Sequence, residues 1–451
     1  MERYERTKQY KAVPPLESIH RARKILYRCG ILTAEHHFKY SKPGVSSCRV
    51  YILEDGLDGT EYGTNGKGMD QAYSLASAYG EMMERLSNSI LFPATYGFAG
   101  KRSGILRYAV APDEKGLDRQ SVLRFSKTAA PLLSLTESEY ADAVEILCRN
   151  GKCVCIPFTG AKNGEKIYIP YLLYRLTHGS NGMCAGNTRE EALIQGLSEI
   201  YERYACALAY RDSTGICLLD KESFRGTAVY ERLRNLDGNG YSTEVLDMSM
   251  GRRLPVIGLR LTVDGTQARS VHLGADPNPV TALERCLTEV FQGNADDIKK
   301  RFHEEDCGSI PAEDTEAFRI YEAEFSNYIT DGSGLLPYCL MRENFPVAES
   351  FAYSQGSSDP EDLAYMLDIA NECGRQVFIR DASFLSFPAY GILVEGMSVP
   401  ELSLSGRCNV TEKKLLTAEQ KTRNAITQSD YHPVTSLLRR VEQEMAASRS
   451  V

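Results

Sequence analysis

No run of about 18 consecutive apolar residues occurs in the 451-residue chain. Hydropathy therefore gives no membrane-spanning helix. The first eleven residues are rich in charge and lack an apolar centre, unlike a secretory leader, so the expected compartment is the cytoplasm. Histidine is scarce. Seven are present, too dispersed for a His-rich metal site, and the one adjacent pair, His36-His37, reads as a surface or loop feature. Thirteen cysteines are present, but they lack a pattern. Cys153 and Cys155 form a lone C-x-C with no second pair at zinc spacing. In a chain without a leader such thiols read as reduced and mostly buried. An excess of basic charge is also missing. With 52 Lys and Arg against 60 Asp and Glu, the net charge is −8, which argues against loose binding to a nucleic-acid backbone. No low-complexity linker divides the chain. Residues 212–251 are a weak boundary candidate, and the length allows about three domain-sized pieces or one large α/β unit.

Segments of β and α character interleave. Strands are expected at 48–53, 152–158, 166–174, 254–263, 376–381 and 392–395, where β-branched or aromatic residues lie between Gly, Pro, Asn or Asp. Helical periodicity appears at 16–29, 70–92, 136–149, 188–211, 280–293, 314–326, 360–373 and 433–447. Asp359 is the expected cap of the 360–373 helix, with Pro360 at its first position and Gly374 past its end. The fold class is α/β (α+β). Residues 1–410 read as the main domain and 411–451 as a short polar helical appendage.

The most informative feature is a partial internal repeat. Thr64-Asn65-Gly66-Lys67-Gly68 precedes a helix carrying Ser77, Glu81, Glu84 and Arg85. Residues 180–187, another Gly-containing stretch, precede a helix carrying Glu191, Gln195, Glu199, Glu202 and Arg203. A third segment, with Arg285, Glu289 and Gln292, echoes the second. At 3.6 residues per turn, Ser77, Glu81 and Glu84 fall within about 60° of one another, and Glu191, Gln195, Glu199 and Glu202 span about 80°. Each row therefore points at one place, and each helix has an apolar side to pack. Two such rows facing each other gather carboxylates that resist joint ionisation without a cation. Oxygen donors suit Mg2+. Arg85, Arg203 and Lys67 would offset phosphate charge, and backbone N–H groups of Gly-rich loops before helices can hold phosphate oxygens.

Plainer readings exist for each part. One E-x-x-E-R on a helix is ordinarily a solvated face with i,i+3 or i,i+4 salt bridges. Thr188-x-x-Glu191 is also a capping box. Gly66-Lys67-Gly68 lacks the Walker spacing and is by itself an ordinary turn. Arg285 could simply pair with Glu289.

On these residues the sequence resembles the YcaO family of ATP-dependent peptide-backbone-modifying enzymes, and within it the founding subgroup. The resemblance rests on T-N-G-K-G…A-S-A-x-G-E-x-x-E-R-L at 64–86, N-G-M-x-A-G-N-T-R-x-E-A…L-S-E-x-x-E-R-Y at 181–204 and A-L-E-R-x-x-T-E-x-x-Q-G at 282–293. It implies an α/β fold with sheets and helices around a Mg-ATP cleft, commonly as a homodimer. It implies Glu81, Glu84, Glu199 and Glu202 as metal ligands, with Asn187 and Glu191 alongside. Arg203 and Arg285 would sit near the phosphates as the catalytic pair. Lys11, Ser18, Lys67, Ser77 and Cys184 complete the implied nucleotide contacts. Lys11 and Ser18 also read as a basic lead-in and a helix cap, and Ser77 as a small residue where helices pack. Cys184 stands where similar relatives carry Ser, which would weaken a contact there.

The chemistry implied is activation of a peptide amide by O-phosphorylation, leading to an azoline or a thioamide, or assisting sulfur modification of a ribosomal protein. The expected partners are a peptide or protein substrate and a sulfur-delivery or accessory protein, with no nucleic acid and no membrane. Azoline-forming members often end in a Pro-rich tail, whereas the last proline here is Pro433, so thioamide formation or assistance ranks first. A nucleotide-regulated binding module is the competing expectation. A kinase-type ligase ranks lower, because no H-R-D and D-F-G pair occurs at suitable positions.

Overall fold

The computed structural model describes residues 3–5, 8, 10–38, 44–53, 63–88, 111–211, 215–342, 344–398, 404, 410, 412–417, 440, 441 and 443–447. Its strands form three sheets whose ladders are all antiparallel. The first group comprises α1 (Pro15–Arg28), β1 (Leu32–Phe38), β2 (Ser46–Leu53), β3 (Gly63–Gly68) and α2 (Gln71–Ser87), with strand order β1-β2-β3. There follow β4 (Lys115–Asp118), α3 (Arg119–Leu123), α4 (Ser126–Leu132), α5 (Glu137–Cys148), β5 (Lys152–Gly160), β6 (Lys166–Pro170), α6 (Tyr171–His178), β7 (Met183–Ala185) and the long α7 (Arg189–Arg211). The third group holds β8 (Cys217–Leu219), α8 (Ala228–Asp237), β9 (Tyr241–Asp247), β10 (Val256–Val263), β11 (Arg269–Ala275) and α9 (Pro279–Val290), with order β11-β10-β9-β8. After α10 (Ala295–Lys299), α11 (Glu316–Asp331), α12 (Tyr338–Met341) and α13 (Asp359–Glu372), strands β12 (Val377–Asp381) and β13 (Ala389–Val394) return to the second sheet. Its order is β4-β5-β12-β13-β7, with β6 on β5.

The expected helices coincide with α1, α2, α5, α7, α9, α11 and α13 within a few residues. Part of 433–447 lies outside the described residues, as do 89–92. Several expectations need correction. Thr64–Gly68 is not a loop but strand β3, paired with β2 from Ser46↔Gly68 to Tyr51↔Gly63. The reason is close approach. A Cβ on Gly66 would collide with the Ser74 carbonyl oxygen and lie 2.6 Å from the Ala78 nitrogen, and one on Gly68 would lie 2.5 Å from the Ser74 nitrogen. The glycines let α2 rest directly on the strand. Residues 166–174 are not one strand. The ladder stops at Pro170, which lacks an N–H to extend it, and α6 begins. Asp359 is the first residue of α13 rather than its cap. Ser358 holds that position, without a side-chain hydrogen bond that caps the helix. Asp359 instead accepts from Lys8 Nζ, which also pairs with Asp362.

The boundary candidate 212–251 includes α8 together with β8 and β9, two strands of the third sheet. In the C-terminal stretch, Val441 and Met445 are fully buried against Ile19, Ala22, Ile25 and Leu26 of α1. His36 and His37 lie on β1, the edge strand of the first sheet. The described cysteines are all free and mostly buried. No helix among the described residues is long and apolar enough to cross a membrane.

Candidate functional site

One cavity of about 710 Å³ lies between the first and third groups, with α7 along it. Asp70 caps α2 by accepting from the Tyr73 N–H at 2.8 Å. One side of α2 buries Ala78, Tyr79, Met82, Met83 and Leu86. Its other side presents Ser77, Glu81 and Glu84 to the cavity. Likewise α7 buries Leu193, Leu197, Ile200 and Tyr201 and turns Glu191, Gln195, Glu199, Glu202 and Arg203 inward. Helix α9 adds Arg285 and Glu289, and the alternation of β3 turns Asn65 and Lys67 inward while Gly66 faces α2. The periodicity of the sequence and the geometry of the site thus agree.

The charges are closely matched. Arg85 pairs with Glu81 at 3.3 Å and with Glu84 at 3.6 Å, and Arg203 pairs with Glu199 at 2.8 Å. Burial pushes the Glu84 carboxyl well above its ordinary range, Glu199 and Glu81 push it further, and Arg85 and Arg203 oppose the rise. Burial raises Glu202 as well, against Lys67, Arg285 and Arg203. Lys67 pairs with Glu289. Burial lowers its amine to about 8, Arg285 and Arg301 adding to the fall and Glu202 and Glu81 opposing it.

At the other end Ser18 Oγ donates to Asn187 Oδ1 at 2.6 Å, and Asn187 Nδ2 donates to Glu191 at 2.9 Å. Lys11 lies 3.5 Å from the same carboxylate, and the Ala12 N–H donates to it at 3.1 Å. Burial alone would raise Glu191, but Lys11, the Ala12 N–H and Asn187 outweigh it and hold the carboxyl below its usual value. The Glu191 N–H donates to Thr188 Oγ1 at 3.1 Å, so half of the capping box is present beside the cavity role.

The structure brings Lys11, Ser18, Lys67, Ser77, Glu81, Glu84, Asn187, Glu191, Glu199, Glu202, Arg203 and Arg285 to one cavity. It does not bring Cys184. That thiol is fully buried and donates to the Tyr390 carbonyl at 3.7 Å, packed between β13 and Gly196 of α7. A three-residue strand paired with β13 turns it inward, so its side chain is not among those lining the cavity. Arg285 does not pair with Glu289. It donates to Gln195 Oε1 at 2.5 Å and lies 3.4 Å from Asp276.

The sequence reading missed His272, Glu284, Arg301 and the loop 330–333, which also line the cavity. Arg301 donates to the carbonyls of Glu289, Val290 and Gln292 at 2.8 to 2.9 Å, closing the end of α9. Glu284 stands in the A-L-E-R motif without an assigned role, and no motif spacing marks the others. The one available signal was His272 standing among apolar neighbours in Val271-His272-Leu273.

Among the described residues, no three His, Cys, Asp or Glu side chains form a ready-made metal cage. Mg2+ needs none, since one or two carboxylates with water and phosphate suffice. The donors here are all carboxylate oxygens, and the like-charge pressure on Glu84 is what a dication relieves. The donor set fits Mg2+.

Comparison with known proteins agrees. The family described as YcaO cyclodehydratase, ATP- and Mg2+-binding, matches residues 65–398. The ribosomal protein S12 methylthiotransferase accessory factor YcaO of Escherichia coli K12 is 31% identical over 347 residues, 74% of this chain and 57% of the relative. An uncharacterized protein of Haemophilus influenzae is 28% identical over 345 residues, again 74% of this chain and 57% of the relative. The chain therefore spans little more than half the length of these curated relatives. Two solved structures share its fold. One is a heterocyclase in complex with substrate and cofactor (TM-score 0.59, 18% identity, 92% of this chain and 58% of that one). The other is YcaO from Methanopyrus kandleri bound with AMPPCP and Mg2+ (TM-score 0.51, 17% identity, 91% of this chain and 98% of that one). With a family match running from the strand under α2 to the end of the second sheet, the chain belongs to the YcaO family, whose domain binds ATP and Mg2+.

Proposed function

We propose that this chain is an enzyme that uses ATP and Mg2+ to activate a backbone amide of a peptide or protein, leading to a thioamide or assisting a sulfur modification, with azoline formation ranked after both. The observation that carries the reading is the pair of E-x-x-E-R helices, α2 and α7, whose carboxylates share one cavity with Lys67, Arg203 and Arg285. Glu81, Glu84, Glu199 and Glu202 would hold Mg2+, with Asn187 and Glu191 beside them. Lys11, Ser18 and Ser77 would contact the nucleotide. When bound, Mg2+ and ATP supply charge neutralisation and a transferable phosphoryl group, which turns the amide oxygen into a leaving group.

The residues of the chain do the rest. Arg285, held by Gln195 and Asp276, presents fixed positive charge where negative charge develops. Arg203, paired with Glu199 at 2.8 Å, would act on the same region. Burial between packed helices limits water, which strengthens each of these interactions.

Support for the sulfur branch comes from the Escherichia coli relative, whose name makes it an accessory factor of the ribosomal protein S12 methylthiotransferase. The same name favours a second reading: a nucleotide-regulated accessory module that hydrolyses ATP slowly while a partner performs the chemistry. A homodimer, a sulfur-delivery partner and a cytoplasmic location belong to both readings.

The test replaces Glu81 and Glu202 singly by Gln. ATP turnover and Mg2+-dependent nucleotide affinity are expected to fall at least tenfold. Folded variants with unchanged values reject the metal assignment. Intact mass of candidate peptides, with and without sulfide, separates the readings. An oxygen-to-sulfur mass gain with matching ATP consumption supports the enzyme, and partner docking that responds to a non-hydrolysable analogue without any mass change supports the module.

A further inference from the structure

The cavity holds a group that phosphate binding leaves unused. His272 lies on β11, is only 5% exposed, lines the cavity, and its Nε2 has no hydrogen-bond partner. The ring is firmly placed. Tyr328 stacks on it with centroids 6.2 Å apart and planes at 27°, and the Tyr328 hydroxyl donates to the neighbouring Val271 carbonyl at 2.9 Å. On another side Gly332 approaches so closely that a Cβ there would sit 3.0 Å from His272 Cε1, and its φ of +76° suits glycine.

The reaction class proposed above needs a group that takes the proton from an incoming nucleophile. Five of the nine lining carboxylates pair with cations, and Glu202 stands among the Mg2+ ligands of the functional reading above. Glu81, Glu84 and Glu199 face arginines, Glu191 faces Lys11 and Asn187, and Glu289 faces Lys67. Lysine and arginine in their charged forms cannot accept a proton. Among the described lining residues His272 is the single imidazole.

We propose that His272 is the proton acceptor for the nucleophile that enters this cavity. The inference rests on the functional reading above and adds a catalytic residue to it. Burial, with Arg301, Lys67 and His303, holds the imidazole well below its ordinary value of 6.5, so at neutral pH it is uncharged and able to accept. Phosphate charge offsets Lys67 and Arg301, which makes the ring a stronger base when the site is loaded. With water as the nucleophile, an O–H bond breaks and its proton passes to the imidazole. The freed electron pair forms the new O–P bond, the P–O bond to the departing nucleotide breaks, and the imidazolium returns its proton to solvent.

The probe is Mg-ATP with water as acceptor. In His272→Asn and His272→Ala, the kcat for ATP hydrolysis is expected to fall roughly 10²- to 10⁴-fold, while the Mg-ATP Kd from calorimetry stays within about twofold of the parent. Added imidazole is expected to restore the Ala variant at least tenfold, with restoration rising with the basicity of substituted imidazoles. A space-filling histidine would show no such rescue. His272→Asn keeps nearly the same shape, so the kcat-against-Kd split stands if the Ala variant fails to fold. Unchanged kcat, a loss in Kd parallel to kcat, or a loss that imidazole does not restore in a folded Ala variant overturns the proposal. A parent that neither binds nor turns over Mg-ATP brings down the functional reading as well, which distinguishes the two failures.

Discussion

Gly66→Ala tests whether the close seat of α2 on β3 is what aims the carboxylate row. The added methyl would sit 2.6 Å from the Ala78 nitrogen and 2.8 Å from the Ala78 Cβ, and closer still to the Ser74 carbonyl oxygen. All three neighbours belong to the helix, and two are backbone atoms that cannot rotate away. Strand and helix must separate by on the order of 1 Å, and overpacking of this kind costs about 1–3 kcal/mol. With rigid backbone on both sides the upper end is expected, a fall in Tm of roughly 3 °C for a chain of this length. The same displacement moves Glu81 and Glu84. A ~1 Å misplacement is worth about a hundredfold in catalysis, so ATP turnover is expected to fall by that order even where the protein is still folded. The control is Gly80→Ala on the same helix, where a Cβ meets nothing within 4 Å. Removing a helical glycine there should raise stability by ~0.5–1 kcal/mol. Denaturant melts give both stabilities and calorimetry gives the Mg-ATP affinity. A Gly66→Ala protein within 0.5 kcal/mol of the parent (roughly the reach of an ordinary surface change) and with unaltered turnover would refute the reasoning.

Two further predictions concern buried groups that do not themselves line the cavity. His178 is fully buried in α6, stacked on Tyr174, and burial first and Arg175 second lower its imidazole to about 3. The unfolded chain takes up a proton below about 6.5 and the native state does not until about 3, so stability falls as pH drops across that window, by ~1.4 kcal/mol per pH unit at most. His178→Phe keeps the stack and leaves Thr177 Oγ1 bonded to the Leu173 carbonyl at 3.0 Å. Its stability is expected to depend on pH by one proton less between pH 5 and 6 in denaturant titrations, and an unchanged slope would remove His178 from the acid limb. Cys184→Ser tests the correction made above. The hydroxyl retains the Tyr390 carbonyl as acceptor, so Mg-ATP affinity should stay within twofold by calorimetry, whereas a clear change would return residue 184 to the nucleotide site.

The carboxylate rows were legible because helical geometry turns spacing directly into a shared face. Neither α2 nor α7 needed tertiary information to show which of its residues pointed together. Strand β3 was not legible, because Gly-Thr-Asn-Gly-Lys-Gly has one β-branched residue and reads as a turn. It is a strand because a helix needs bare backbone to lie on, a demand made from outside the segment. His272 and Arg301 escaped for a related reason. Each stands in the cavity through the packing of α9 and α11 around the edge strand β11, and no local pattern records that arrangement. Cys184 was misplaced because alignment of a motif gives order along the chain but not which way a short strand turns its side chains.

The N-terminal segment is held at widely separated points. Tyr4 packs on Phe224 and Tyr353, Asn278 donates to the Glu5 carbonyl, and Lys8 lies between Asp359 and Asp362. Lys8 precedes its partners Asp359 and Asp362 by more than three hundred residues. During synthesis the Lys8 contact has to wait until that many further residues have emerged. This wall of the cavity is therefore completed only after α13 has emerged, and a nascent chain stopped before α13 would carry both acidic helices and still lack the Lys8 anchor.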